Sequence, residues 1–336
     1  MSFRRAAAVA AAALLALPAV GVAAAKAVPS WTDTTPASVE MTGGTTTTLT
    51  VSAESADAAE VVHITTTRKP RFVHVAASDG NPATATLAVA PSGSLHARFT
   101  VILAAHASGG STITRSLTLV VHPDTRTVSL VGPGAASRWA YVLERTIARS
   151  APRKSARAVG TVQTATGLGK PNLVLLLNEQ RDAGGRQWVQ VLLAKLPNGT
   201  TGWVPRTALD NFQVVYTHLV VDREAFTAIL YRKDVEVFHA SVGVGRPSAP
   251  TPAGDFYVRE ELRNFGDPFY GPVAFGTSGR SATLTDWPGG GFIGIHGTNE
   301  PQLLPGRVSH GCVRMRNRDI LRLAKLMPLG TPVTIK

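Results

Sequence analysis

Cysteine is almost absent from this chain of 336 residues: Cys312 is the only one. A single thiol excludes an internal disulfide framework and every zinc site built from paired cysteines. Acidic residues are also few, 22 against 34 lysines and arginines, which leaves a formal net charge of +12. Such a balance suits an anionic partner, for example a cell-wall polymer or lipid headgroups. The basic residues are scattered, however, with no clustered face and no aromatic-rich nucleic-acid motif, so no nucleic-acid partner is expected. We read most of them as solvated surface. No internal repeat recurs at a fixed period, which excludes a solenoid or an array.

What is present begins with an export pattern. "MSFRR" precedes an apolar run without an acidic residue, residues 6–25, and then Ala25-Lys26-Ala27, which fits a small-x-small cleavage site. Residues 1–27 are therefore expected to be a signal peptide or, left uncleaved, a membrane anchor that tethers the chain. Arg4-Arg5 alone makes a poor twin-arginine signal, and no cysteine stands near the cleavage region to carry a lipid. Either way the remainder is expected outside the cytosol, on the periplasmic or cell-wall side or beyond. Cysteines there normally pair, so a lone one needs a reason: burial or use.

Residues 38–123 show short alternating runs rich in Thr and Val, such as "TTTTLTVSA", "TATLAVAP" and "STITRSLTLVVH", punctuated by turn sequences. No helical period lasts, so a small antiparallel sandwich is expected. His63, His74, His96 and His106 lie on these strands at spacings that match no metal signature. Residues 138–210 form a second segment, in which "RQWVQVLLA" and "GTTGWVP" flank Pro-Asn-Gly, a hairpin signal. Trp188 and Trp203 are either packing residues or the lips of a groove. The third segment, 214–336, opens with strands and carries a long Gly/Pro/aromatic passage, "DFYVREELRNFGDPFYGPVAFGTSG", as a candidate lid. Near its end Asn317 is placed to cap a helix with Ile320, Leu321, Leu323, Ala324 and Met327 along one side, stopped by Pro328 and Gly330.

The chemistry concentrates in residues 296–315, "HGTNEPQLLPGRVSHGCVRM". Cys312 is a nucleophile only as thiolate, and an ordinary thiol is mostly protonated at neutral pH, so it needs a base. His296 and His310 are the two candidates. Residues i and i+2 of a turn tend to diverge, which disfavours His310; His296, from a strand end across the loop, can face the sulfur. The amides of His310, Gly311 and Cys312 are candidates to receive an oxyanion, with Gly311 leaving room for substrate and Arg314 holding a carboxylate or oxyanion. Zinc on His296, His310 and Cys312 is the chemical rival. The segment lacks a paired-Cys pattern and its nearest acid, Glu300, sits on a loop with no fixed relation to the site, so we expect no metal and no cofactor.

His296-Gly297-Thr298 followed by Ser309-His310-Gly311-Cys312-Val313-Arg314-Met315 resembles the signature of the L,D-transpeptidases (YkuD-type catalytic domain), and "VGVGRPSAPTPAGDFYV" is similar to the strand and turn ahead of that family's lid. The resemblance covers roughly the last 120 residues. It implies a cysteine acyltransferase that cross-links peptidoglycan. Cys312 would attack the diaminopimelate carbonyl of a donor tetrapeptide stem and expel D-alanine. The thioester would pass to the side-chain amine of a diaminopimelate on an acceptor stem, joining third residue to third residue. Carried over by position, His296 is the base, oriented by the Gly297 carbonyl, while Ser309, His310 and Gly311 match the substrate-positioning and oxyanion part. Many relatives have Asn where Arg314 stands here. Tyr257, Phe269, Tyr270 and Trp287 are candidate lid or pocket aromatics, and acylation by a carbapenem is expected. The expected architecture is mainly β: an Ig-like antiparallel sandwich, a small barrel that resembles bacterial src-homology-3-like modules, and a β-rich transpeptidase domain with a short C-terminal helix. Two other functions compete: a cell-wall peptide hydrolase or amidase with the same nucleophile, and a non-catalytic wall-binding protein.

Overall fold

The computed structural model describes residues 26–132, 136–263, 266–283 and 290–336, so nearly all of the expected export segment, and Trp287, lie outside the described residues. The fold is mainly β, and among the described residues the one α-helix is Asn317–Ala324. No described helix is long and apolar enough to cross a membrane.

The N-terminal strands form two four-stranded sheets. In one, Ser30–Trp31, Thr47–Glu54, Ala83–Val89 and Val73–Ser78 lie side by side; in the other, Ser38–Thr42, Thr112–His122, Ala97–Ala107 and Val62–Arg68 do. The period of two seen in the sequence is the cause. Along Ala83–Val89 every second residue, Ala83, Ala85, Leu87 and Val89, is buried while Thr84 and Thr86 face water. His63 and His106 stand opposite each other in the second sheet and bond to Asp79 and to Thr65 and Thr112 respectively.

An eight-stranded sheet follows, built around Leu173–Arg181, Gln187–Leu192 and Thr201–Pro205. The hairpin expected around Pro-Asn-Gly forms, with Trp188 opposite Pro205 and Gln190 opposite Trp203. Trp188 and Trp203 are both buried, and the Trp188 indole N–H donates to Asp182 at 3.0 Å. They are core residues here, not the lips of a groove.

The C-terminal sheet has ten strands, in the order Val235–Ser241, Thr227–Arg232, Thr217–Asp222, Pro332–Ile335, Gly254–Arg263, Val273–Arg280, Phe292–His296, Val313–Arg314, Gly243–Gly245 and Gly306–Ser309. The Gly/Pro/aromatic passage is therefore not a free lid. Most of it is the antiparallel pair Gly254–Arg263 and Val273–Arg280, joined past a 3-10 turn at Pro268–Tyr270. Alternating apolar residues within "DFYV" and "VAF" outweigh its glycines, because Phe256, Val258, Val273 and Phe275 all enter the core. The helix buries Ile320, Leu323 and, just beyond it, Met327, whereas Leu321 is 41% exposed, off the expected stripe. Asn317 is the first helical residue, not its cap; that position is Arg316, and the Asn317 side chain reaches instead to the Thr298 amide.

The ten-stranded sheet is docked on the eight-stranded sheet through Tyr257. Its hydroxyl donates to the carbonyls of Leu173 and Leu192, both at 3.3 Å, and its ring joins Leu173, Leu175 and Leu192 in one apolar cluster. Burial raises the Tyr257 phenol to about 12, so it stays protonated as a donor. Tyr257 is thus an interface residue that also borders the cleft along the seam between the two sheets. Within the C-terminal core Leu230 is fully buried. Leu230→Ala is expected to cost about 2–5 kcal/mol, from lost transfer energy and a residual cavity, measurable by urea unfolding.

Candidate active site

The site is assembled by one parallel pairing. Ile295 lies opposite Val313 and His296 opposite Arg314. Continuing that register by one residue puts Cys312 beside Gly294, on the same strand face as His296, because 294 and 296 are two apart. Gly294 has no side chain to occupy that face. A Cβ there would lie 3.7 Å from Cys312 Sγ and 3.7 Å from His296 Cδ2, so the glycine is the gap through which thiol and imidazole share one space. The Gly294 N–H donates to the sulfur at 3.3 Å.

His296 is almost fully buried, and its backbone is clamped by Met315 N–H, which donates to its carbonyl at 2.8 Å. Its Nδ1–H donates to the Gly297 carbonyl at 2.6 Å, which fixes the tautomer and leaves a lone pair on Nε2. That Nε2 has no hydrogen-bond partner among the described residues. Burial is the main force that lowers the His296 pKa to about 4; the Gly297 bond opposes it and the Arg314 charge adds to it. Burial also raises the Cys312 thiol above its ordinary value, against the lowering effects of the Gly294 amide and Arg314. At neutral pH the resting pair is therefore neutral thiol beside neutral imidazole.

Gly297 owes its identity to crowding. A Cβ would stand 2.3 Å from Asn317 Oδ1 and 3.0 Å from Gly271 Cα. Asn317 Oδ1 accepts from the Thr298 amide at 2.9 Å, so the helix start pins the loop that holds the His296 ring. Gly297→Ala is expected to break that seat and lower turnover roughly 10²-fold by tilting the imidazole, seen as a fall in kcat with little change in thermal midpoint beyond a few degrees.

The turn 309–312 is braced from inside. Ser309 is buried; its hydroxyl donates to the Cys312 carbonyl at 2.6 Å and accepts from the Gly311 amide at 3.1 Å. Ser309 thus holds the turn while bordering the smaller cleft, and of the three amides considered for an oxyanion that of Gly311 is already engaged. Gly311 has φ +119° and a Cβ there would press on Ile293, which accounts for the glycine. His310 turns toward Arg246, whose Nη2 donates to its Nε2. Burial, then Arg246 and Arg314, push its pKa down, so His310 is a neutral ring whose lone pair is occupied, unsuited to act as the base.

Arg314 is buried under the Phe269 ring, 4.2 Å from its centroid, and its Nη1 lies 3.3 Å from Glu300 Oε2. The loop of Glu300 is held by the 3-10 turn Pro301–Leu303, so this acid does have a fixed relation to the site, through a guanidinium pair. Arg314 Nε is without a partner among the described residues. The rings of Tyr270 and Phe269 lie 5.0 and 5.9 Å from that of His296. Two clefts meet at the thiol: one of about 350 Å³ includes Arg314, His310 and Phe269, and one of about 790 Å³ includes Tyr270, Glu260 and Arg259; both include His296 and Cys312. Among the described residues no three His, Cys, Asp or Glu side chains cluster in a metal-holding arrangement.

Known proteins align on this same region. The L,D-transpeptidase catalytic domain model, YkuD, matches residues 216–335. YkuD of Bacillus subtilis (strain 168), assigned to the L,D-transpeptidases, is 35% identical over 126 residues, 38% of this chain and 69% of that one. The chain belongs to the L,D-transpeptidase family. The Bacillus licheniformis YkuD protein is 36% identical over 117 residues, 35% of this chain and 64% of its own length. Among solved structures, an L,D-transpeptidase from Mycobacterium tuberculosis H37Rv aligns with 19% identity and a TM-score of 0.31, over 42% of this chain and 74% of that one.

The L,D-transpeptidase domain thus holds His296, Ser309, His310, Cys312, Arg314 and Tyr270 around one junction. Arg246, Gly294 and Arg259 join them without having stood out in the sequence. Gly294 is visible there as one of the glycines in "GGGFIGIHG", but its position opposite the thiol depends on strand register. Arg246 sits in the stretch "VGVGRPSAPTPAGDFYV" without standing out from it, and Arg259 just past its end carries no local signal.

Proposed function

We propose that this protein is an exported cysteine L,D-transpeptidase that joins peptidoglycan stems through a thioester on Cys312. One observation carries the reading: a buried imidazole whose Nδ1–H is fixed by Gly297 and whose Nε2 is unpartnered among the described residues shares a glycine-made gap with the chain's sole thiol. As Sγ attacks the diaminopimelate carbonyl of a donor tetrapeptide, its proton passes to His296 Nε2, so charge is created only as the bond forms. The tetrahedral oxyanion is met by the Cys312 amide side of the braced turn and by the positive field of Arg314. Collapse expels the D-alanine amine, which takes the proton from His296. An acceptor diaminopimelate amine then enters, gives a proton back to His296 and forms the amide, restoring the thiol.

Arg314, whose side chain borders the smaller cleft and whose buried Nε has no partner among the described residues, is suited to hold the terminal carboxylate of the donor. β-Lactams, whose strained amide mimics the donor carbonyl, should acylate the same sulfur. In this proposal the residues ahead of the domain form a signal or anchor, an Ig-like sandwich and a src-homology-3-like barrel that set the enzyme off from the membrane.

Product analysis tests this. Incubation with tetrapeptide-containing muropeptides should give cross-linked dimers and free D-alanine. Tripeptides alone would mean that water resolves the thioester and that the enzyme is a hydrolase; unchanged substrate would leave only a binding protein.

A further inference from the structure

The larger of the two clefts does not end at the transpeptidase domain. Its far wall is Gly167 and Leu168, from the segment of the eight-stranded sheet, and the seam continues past Arg259 and Phe292 toward Gln163 and Lys195. That docking is specific. Thr166 Oγ1 donates to the buried Glu260 Oε2 at 2.7 Å, and the Asn198 side-chain amide both donates to the Arg280 carbonyl and accepts from the Arg280 amide, at 2.8 and 3.0 Å.

Arg259 stands in the middle of this seam without an ion pair among the described residues. It is only 6% exposed. Its Nη2 donates to Asn172 Oδ1 at 3.1 Å and its guanidinium lies 4.5 Å from the Phe292 ring centroid, yet among the described residues Nε has no partner and no carboxylate forms an ion pair with the guanidinium. The acid beside it among the described lining residues, Glu260, is turned to Thr166. A buried cation with a neutral partner only is costly unless something else brings the counter-charge. Both clefts that Arg259 borders are open, and one of them contains the thiol.

We propose that Arg259 anchors a carboxylate subsite, walled by the Gly167–Leu168 loop, that is continuous with the Cys312 cleft and holds a side carboxylate of a stem peptide. The proposal rests on the transpeptidase reading for the identity of the peptide, and it gives the segment ahead of the domain a share in substrate binding. A planar guanidinium stacked on Phe292 presents fixed N–H groups to a carboxylate, which an ammonium cannot reproduce.

The test is a binding titration on the full chain carrying Cys312→Ala, which removes turnover. Tetrapeptide stems are compared with versions in which one carboxylate at a time is an amide: the second-residue carboxylate, the diaminopimelate carboxylate or the terminal one. Amidation at one internal position is expected to weaken binding roughly tenfold or more with Arg259 present, and to have no effect once Arg259→Gln is added; Arg259→Lys should recover only part of the difference. The position that loses its effect identifies the carboxylate. If only the terminal carboxylate matters, or if no amidation distinguishes the Arg259→Gln variant from the protein that keeps Arg259, the subsite is wrong. Should Arg259→Gln not fold, the single-amide series on the protein that keeps Arg259 still decides, since equal affinities for all peptides overturn it. Failure of the transpeptidase reading looks different: carboxylate-dependent binding persists while Cys312 of the unsubstituted enzyme accepts no acyl group.

Discussion

His296→Asn is expected to lower the rate of Cys312 acylation by a carbapenem about 10³-fold at neutral pH, within the range that a positioned general base contributes. Asparagine preserves polarity and approximate size, so the Gly297 seat and the parallel pairing with Arg314 should survive. What disappears is the Nε2 lone pair in the gap over Gly294. Stopped-flow or mass-resolved acylation kinetics read the loss. A fall of less than tenfold would mean that another group takes the thiol proton. His310→Asn should cost far less, since the Nε2 of that ring accepts from Arg246.

The pH dependence of acylation should separate this neutral pair from a preformed thiolate. With His296 lowered to about 4 and the thiol pushed above its ordinary value, the active form, one proton shared by the pair, spans the whole neutral range. Falling pH protonates His296 and removes the base, so activity declines on an acid limb with an apparent pKa about 4, while the alkaline limb lies beyond the usual thiol range. Between them kcat/KM should be flat. In His296→Asn only solvent base can make thiolate, so the rate should instead climb about tenfold per pH unit across neutrality. An inflection at about 6.5 in the unsubstituted enzyme would show an ordinary, solvated imidazole and contradict the burial that sets this behaviour.

Much of the catalytic core is legible without coordinates because its chemistry is local. The turn "SHGCV" and the strand "GFIGIH" carry their residues at fixed short spacings, and parallel pairing of the two brings His296, its Gly297 acceptor and Cys312 to one place. The alternating threonine and valine runs likewise point to strands, since a period of two is visible within one segment. What escapes depends on partners far along the chain. Tyr257 looks like any lid aromatic until Leu173 and Leu192 supply its acceptors. Glu300 has no visible anchor until Arg314 meets it, and Asn317 has the composition of a cap but is spent on Thr298. The glycines of the passage 255–279 suggest a loop, and the short alternation in "DFYV" and "VAF" outweighs them only because Phe256, Val258, Val273 and Phe275 meet a core made by distant segments. Arg259 stays hidden for the same reason: its environment is made by residues about ninety positions earlier, such as Asn172.

The whole mechanism turns on Cys312 as the acyl acceptor. Intact-protein mass spectrometry after carbapenem exposure tests it most directly. The unsubstituted protein should gain the mass of a single opened carbapenem, stable to dilution, and Cys312→Ala should gain none. An adduct on Cys312→Ala, or a bare thiol in the unsubstituted protein after prolonged exposure, would contradict it.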